Sequence, residues 1–179
     1  MRSSLARGPL KTGLLLLAVG LAFGGCSRTG GAAAYAQQST EQAVKAASGF
    51  LARTAKEPGV QVLPDGLEYK VVRSGPSNGP RPATGDDVRV NYEGTLIDGT
   101  VFDSSYTRGQ PAVFTVGEVV PAWNEALQLM RPGDVWYLYV PPKLGYGSEA
   151  QGPIPGNSVM VFKIELISVL PKAGGSASV

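Results

Sequence analysis

Six aromatic residues hold most of the chemical potential of this chain: Tyr92, Phe102, Phe114, Trp123, Tyr146 and Phe162, each beside a turn or loop. The familiar catalytic sets are missing. The 179 residues include no histidine, which excludes a Ser-His-Asp triad, a Cys–His nucleophile and any His-ligated metal. The one cysteine, Cys26, rules out a disulfide within the chain and a Cys-rich zinc site. No G-x-S-x-G elbow or phosphate-cradling glycine loop is present, so no metal and no cofactor are expected. Aromatic residues at strand positions usually pack a core; the other reading is a pocket lined by them. Spacing alone leaves both readings open.

The elements that position these residues follow from periodicity. Hydrophobic residues make up 43% of the chain, enough for one core, and 24 Gly with 14 Pro favour turns and short strands. Ser39 with Gln42 three residues later forms a capping-box pattern, predicting a helix over 40–56 that ends at Pro58-Gly59. Leu67, Tyr69 and Val71 alternate with polar residues, and so do Val88, Val90 and Tyr92 in a strand running to Leu96. Asp98-Gly99 is a hairpin turn signal, with Val101 and Phe102 starting the return strand. Ala112 to Val116 reads as strand. Over 121–130, Trp123, Ala126, Leu127 and Met130 recur at helical spacing behind Pro121. Val135 to Val140 and Val159 to Leu170 are strands, separated by a long Gly/Pro loop over 141–158. The expected fold class is α+β: a twisted antiparallel sheet, a half-barrel, wrapped around one short helix. The tail 171–179 reads as disordered.

Three strings, VNYEGTLIDGTVFDSSYTRGQP, VVPAWNEALQLMRPGDVWYLYVPPKLGYG and GPIPGNSVMVFKIELISV, closely resemble the FKBP-type immunophilin isomerases. The resemblance covers about residues 60–170, with the motifs in family order. The preceding FLARTAKEPGVQVLPDGLEYKVVRSG resembles the macrophage infectivity potentiator group of bacterial surface isomerases. The resemblance implies a peptidyl-prolyl cis-trans isomerase without cofactor, acting on proline-containing polypeptides and inhibited by macrolides such as rapamycin and tacrolimus. It implies catalytic roles for Tyr92, Phe102, Asp103 and Tyr146. It implies substrate contacts from Arg108, Phe114, Val119, Val120, Trp123, Ile154 and Phe162. Trp123, Phe102, Phe162 and Val120 would surround the prolyl ring, and Tyr146 would donate to the peptide carbonyl. Asp103 would bond Tyr92 or pair with Arg108; the plainer reading is a turn-capping aspartate in Asp103-Ser104-Ser105. Ala122 stands where the family commonly has glycine, Gly145 where it has alanine, and Ala112 where many members have an aromatic. A binding module for proline-containing segments, chaperone-like or adhesin-like and without turnover, is the competing reading.

Residues 1–25 read as a secretory signal: Arg2, Arg7 and Lys11, then an apolar run over 13–23, then Gly24 and Gly25. That run is about half the ~20 residues a spanning helix needs. Cys26 directly after it resembles the lipobox of bacterial lipoproteins, where the cysteine is acylated; the plainer reading is a secretory signal with an incidental cysteine. With Ser27 following, the resemblance implies the periplasmic side of the outer membrane, the acyl chains on Cys26 holding the chain to the membrane. Residues 26–38 read as a flexible tether. Without residues 1–25 the charge balance is 13 basic against 14 acidic residues, which gives no reason to expect a nucleic-acid partner. The short 39–59 helical region leaves a monomer or a weak homodimer.

Overall fold

The computed structural model describes residues 29–170, with side chains from residue 40 onward. The elements run α1 (Thr29–Thr54), β1 (Val60–Val62), β2 (Glu68–Arg73), β3 (Asp87–Leu96), β4 (Val101–Ser104), β5 (Ala112–Thr115), α2 (Pro121–Leu129), β6 (Val135–Val140) and β7 (Met160–Leu170). A single 3₁₀ turn, Pro142–Leu144, follows β6. The strands form one open antiparallel sheet in the order β1-β2-β6-β7-β3-β4, with β5 also pairing β3. The fold class read from the sequence is the one observed. The expected signal segment, Cys26 and the tail 171–179 lie outside the described residues.

Strand β3 organises the sheet. Its ten residues pair with β7 along their whole length, while the other edge is shared by β5 over Asp87–Val90 and by β4 over Glu93–Thr95. Val88, Val90 and Tyr92 point inward and are buried, and Arg89 between them is exposed. This is the two-residue alternation of a sheet with one buried face. The inward residues of β6 and β7, among them Leu138, Val140, Ile164 and Leu166, complete that face. Helix α2 covers it with Ala122, Trp123, Ala126 and Leu127. Each buried Val, Leu or Ile of this core contributes roughly 1.5–3 kcal/mol through burial.

Two differences from the sequence reading concern the N-terminal part. Helix α1 begins at Thr29 rather than at Ser39, so residues 29–38, expected as a tether, are helical. Ala32, Ala33, Ala34, Ala36, Gln37 and Gln38 are strong helix formers, and they carry the helix through the serine that would otherwise cap it. The helix ends at Thr54, two residues before the expected 56. The second difference is β1, a three-residue edge strand pairing Val60 with Lys70 and Val62 with Glu68. Three residues are too few to show a period, so only its pairing partner defines it.

Candidate active site

The site is built on Trp123, in the first turn of α2. Pro121 occupies the first helical position, where its missing N–H is not needed. Trp123 is 4% exposed. Three rings meet its indole nearly edge-on: Tyr92 at 5.2 Å and 87°, Phe114 at 5.3 Å and 78°, and Phe162 at 5.3 Å and 84°. Phe102 closes the set against Phe162 at 5.6 Å and 87°. Such edge-to-face pairs are individually favourable by about 0.5–1.5 kcal/mol and fix ring orientation. The Trp123 indole N–H is buried and has no hydrogen-bond partner among the described residues.

Above this floor lies a cavity of about 500 Å³. Ten of the eleven catalytic and substrate residues expected from the sequence line it: Tyr92, Phe102, Asp103 and Phe114 from the β3–β5 side, Val119, Val120 and Trp123 from α2 and the turn before it, Tyr146 and Ile154 from the 141–158 loop, and Phe162 from β7. The eleventh, Arg108, is exposed and reaches the site through Asp103. Ile154 is buried, whereas Tyr146 is 41% exposed, at the rim.

The polar edge of the cavity is a three-member network. The Tyr92 hydroxyl donates to Asp103 Oδ2, and Arg108 Nη1 donates to Asp103 Oδ1. Arg108 Nη2 also donates to the Tyr92 oxygen at 2.9 Å, and its guanidinium lies 5.4 Å from the Tyr92 ring centre. Burial pushes the Asp103 carboxyl up, but the hydrogen bonds from Tyr92 and Arg108 and the guanidinium charge outweigh it and hold the group below the ordinary carboxylate range. Burial, then the bond to Asp103, pushes the Tyr92 hydroxyl up. Asp103 therefore stands ionised at neutral pH, with its oxygens directed to Tyr92 and Arg108. The turn that follows is held by its serines. Buried Ser105 accepts from Tyr92 N–H at 2.9 Å and returns its own N–H to Tyr92 O at 2.9 Å.

Four residues escaped the sequence reading. Glu118 and Pro153 also line the cavity; Glu118 directly precedes the expected Val119-Val120 pair, and Pro153 directly precedes Ile154. Gly94 lies on the inward face two residues after Tyr92. A methyl group there would sit 2.6 Å from two Phe102 ring carbons and 2.9 Å from the Phe162 ring, so only glycine lets both rings pack over β3. Asn124 clamps the turn before α2, accepting from Gly117 N–H at 2.7 Å and donating to Val119 O at 2.8 Å. The Tyr-x-Gly spacing is the signal that could have found the glycine; the asparagine clamp has no local signal.

Comparison with known proteins places this geometry. Residues 79–167 match the family model for the FKBP-type peptidyl-prolyl cis-trans isomerase, and residues 28–71 match the domain amino terminal to it. A crystal structure of a peptidyl-prolyl cis-trans isomerase from Pseudomonas syringae is similar with a TM-score of 0.68 and 39% identity, over 73% of this chain and 96% of that one. The chain belongs to the FKBP-type isomerase family. Among curated FKBP-type relatives, the peptidyl-prolyl cis-trans isomerase Mip of Coxiella burnetii is 52% identical over 124 residues, 69% of this chain and 53% of the relative. The outer membrane protein MIP of Legionella longbeachae is 50% identical over 121 residues, 67% of this chain and 51% of the relative. The chain thus spans about half the length of these curated relatives. One of its departures from the FKBP pattern, Gly145, has a local cause. An alanine methyl at Gly145 would run into Met160 Cε, so the methionine already fills that space. Ala112 packs against the core and is not among the residues lining the cavity.

Proposed function

We propose that the cavity accelerates cis–trans rotation of X–Pro peptide bonds in polypeptide clients. The observation that carries this reading is the Trp123 floor, met edge-on by Tyr92, Phe114 and Phe162 beneath a cavity of about 500 Å³. Amide resonance sets a rotation barrier of about 18–20 kcal/mol, and no covalent bond need break to cross it. The twisted amide has lost resonance and much of its polarity, whereas the planar ground state is better solvated by water. An aromatic cavity that excludes water therefore favours the twisted form, provided it holds the ring and the neighbouring residue in place. The prolyl ring would sit on Trp123 between Phe102, Phe162 and Val120. The Tyr146 hydroxyl, at the rim, would donate to the carbonyl of the residue before proline. Asp103, bonded to Tyr92 and Arg108, would fix the wall on the carbonyl side.

The chain would act in the bacterial cell envelope, a reading supported by the outer-membrane relative and by the charged, then apolar, then cysteine-bearing start of the sequence. Acyl chains on Cys26 would hold it to the periplasmic side of the outer membrane, where folding envelope proteins present slow prolyl bonds. Rapamycin and tacrolimus would occupy the same cavity. A monomer, or a weak homodimer through α1, belongs to the same reading. The decisive experiment is the cis-to-trans rate of a short X–Pro peptide with the purified chain, beside Phe102→Ala. Acceleration that is lost with rapamycin and with the variant is the expected result. No acceleration by folded protein would overturn the reading and leave a binding module for proline-containing segments.

A further inference from the structure

The cavity's outer wall comes from the 141–158 loop, which is narrow at its neck. Asn157 N–H donates to Gly147 O at 2.8 Å, and a methyl group at Gly156 would run into Ser148 O. At the far end, Gln151 and Ile154 exchange both backbone hydrogen bonds, at 2.9 and 3.0 Å. Tyr146, Pro153 and Ile154 face the prolyl site from this loop. Asn157 itself holds a positive φ of 60°, a conformation that non-glycine residues adopt rarely.

Behind the neck stands α1. Among its residues with described side chains, Ala47 and Thr54 are the buried ones, at 6% and 2% exposure. With Phe50 and Leu51 between them they form one helical face. Phe50 meets the Tyr139 ring at 6.2 Å, which seats the lower part of this face on the sheet. Ala47 sits higher, between two grooves of about 210 and 400 Å³, and lines both together with Asn157. Leu51 shares the second groove with Gly147, Ser148 and the Pro141-Pro142 entry to the loop. The helix thus backs the neck where its two arms cross.

We infer that Ala47 is a positioning residue for the prolyl site: from α1 it braces the loop neck at Gly147 and Asn157, and so holds Tyr146, Pro153 and Ile154 over the cavity. The inference rests on the isomerase reading for its kinetic consequence and on packing alone for its structural one. A phenylalanine here must either fill one of the two grooves or push the neck aside, and either changes how the helix meets the neck. A loosened wall weakens the contacts that Pro153 and Ile154 make to both amide forms, which raises KM, and frees the Tyr146 hydroxyl from its place, which lowers kcat as well.

The test uses the full chain with Ala47→Phe, the conservative Ala47→Ser, and Leu51→Ala, which withdraws contact without risk of a clash. Amide hydrogen exchange over 145–158 and the kcat–KM split on an X–Pro peptide are measured for each. Ala47→Phe and Leu51→Ala are expected to speed exchange in the loop and to raise KM by about threefold or more, with Ala47→Ser like the parent. Parent-like loop exchange and KM in folded Ala47→Phe or Leu51→Ala would overturn the inference. If the parent chain accelerates no peptide, the isomerase reading fails, and the exchange data alone decide whether the helix braces the loop.

Discussion

At the scale of single residues, the cavity depends on what is absent as much as on what is present. Gly94 has no methyl group, and this lets Phe102 and Phe162 lie over β3. Gly94→Ala is expected to displace both rings and lower kcat/KM about tenfold or more, in a protein whose circular dichroism is unchanged. Isomerisation assays at matched concentration check this. Asp103 makes a different case. Its carboxyl is held below the ordinary range, so its contribution to stability is present above the unfolded-state value and lost as pH falls through the lower folded one. The pair with Arg108 is 42% exposed on both sides, so Asp103→Asn should cost no more than about 1 kcal/mol. Activity should suffer more than stability, because Tyr92 loses its charged acceptor. Urea denaturation beside peptide kinetics separates the two. Most of the residues at this scale were legible beforehand, because aromatic type, spacing and motif are properties of the string. The four that escaped, Glu118, Pro153, Gly94 and Asn124, matter through what lies across from them.

At the scale of elements, α2 is steered by two adjacent side chains, Asn124 and Glu125. Asn124 ties its first turn to Gly117 and Val119, and Asn124→Ala should cost about 0.5–1.5 kcal/mol, since water can replace the exposed Gly117 bond, with a rise in KM as Val119 and Val120 shift. Glu125, next along the helix, hydrogen-bonds Asp65 in the turn between β1 and β2, with Lys143 nearby. Burial, then the bond and repulsion from Asp65, pushes the Glu125 carboxyl up to about 7. For Asp65, burial acts upward, but its hydrogen bonds from Leu67 and Glu125 prevail and lower it. One proton is thus shared by the pair. A raised folded-state value means the contribution is complete below the unfolded-state pKa near 4.5 and disappears as pH climbs through about 7. Stability should therefore decline from mildly acidic to neutral pH, and Glu125→Gln should flatten that decline. Thermal melts across pH 5–8 would show it, and a parent curve as flat as that of the variant would refute the shared proton.

At the scale of the whole molecule, a single buried face joins pocket and core. The inward side chains of β3, β6 and β7 that end as cavity floor at Tyr92 and Phe162 continue as packing at Leu138, Ile164 and Leu166. Leu138→Ala should cost about 2–5 kcal/mol and lower Tm, while leaving KM unchanged at temperatures where the protein stays folded. A shifted KM would mean that the floor is softer than its packing implies. By itself the sequence determined the strands from Val88 to Leu170, the helix behind Pro121 and the aromatic set. Alternation, capping and turn chemistry act over a few residues, and the signal for each lies inside its own segment. The capping pattern at Ser39 is a local signal that the flanking alanines override, so α1 starts at Thr29. Tertiary structure alone decided that β1 is a strand, that Asp65 meets Glu125, that Asn124 clamps the turn before its own helix, and that α1 stands behind the neck of the 141–158 loop. Each of these is a contact between segments that carry no mark of one another, and only closure of the sheet over α2 brings them within reach.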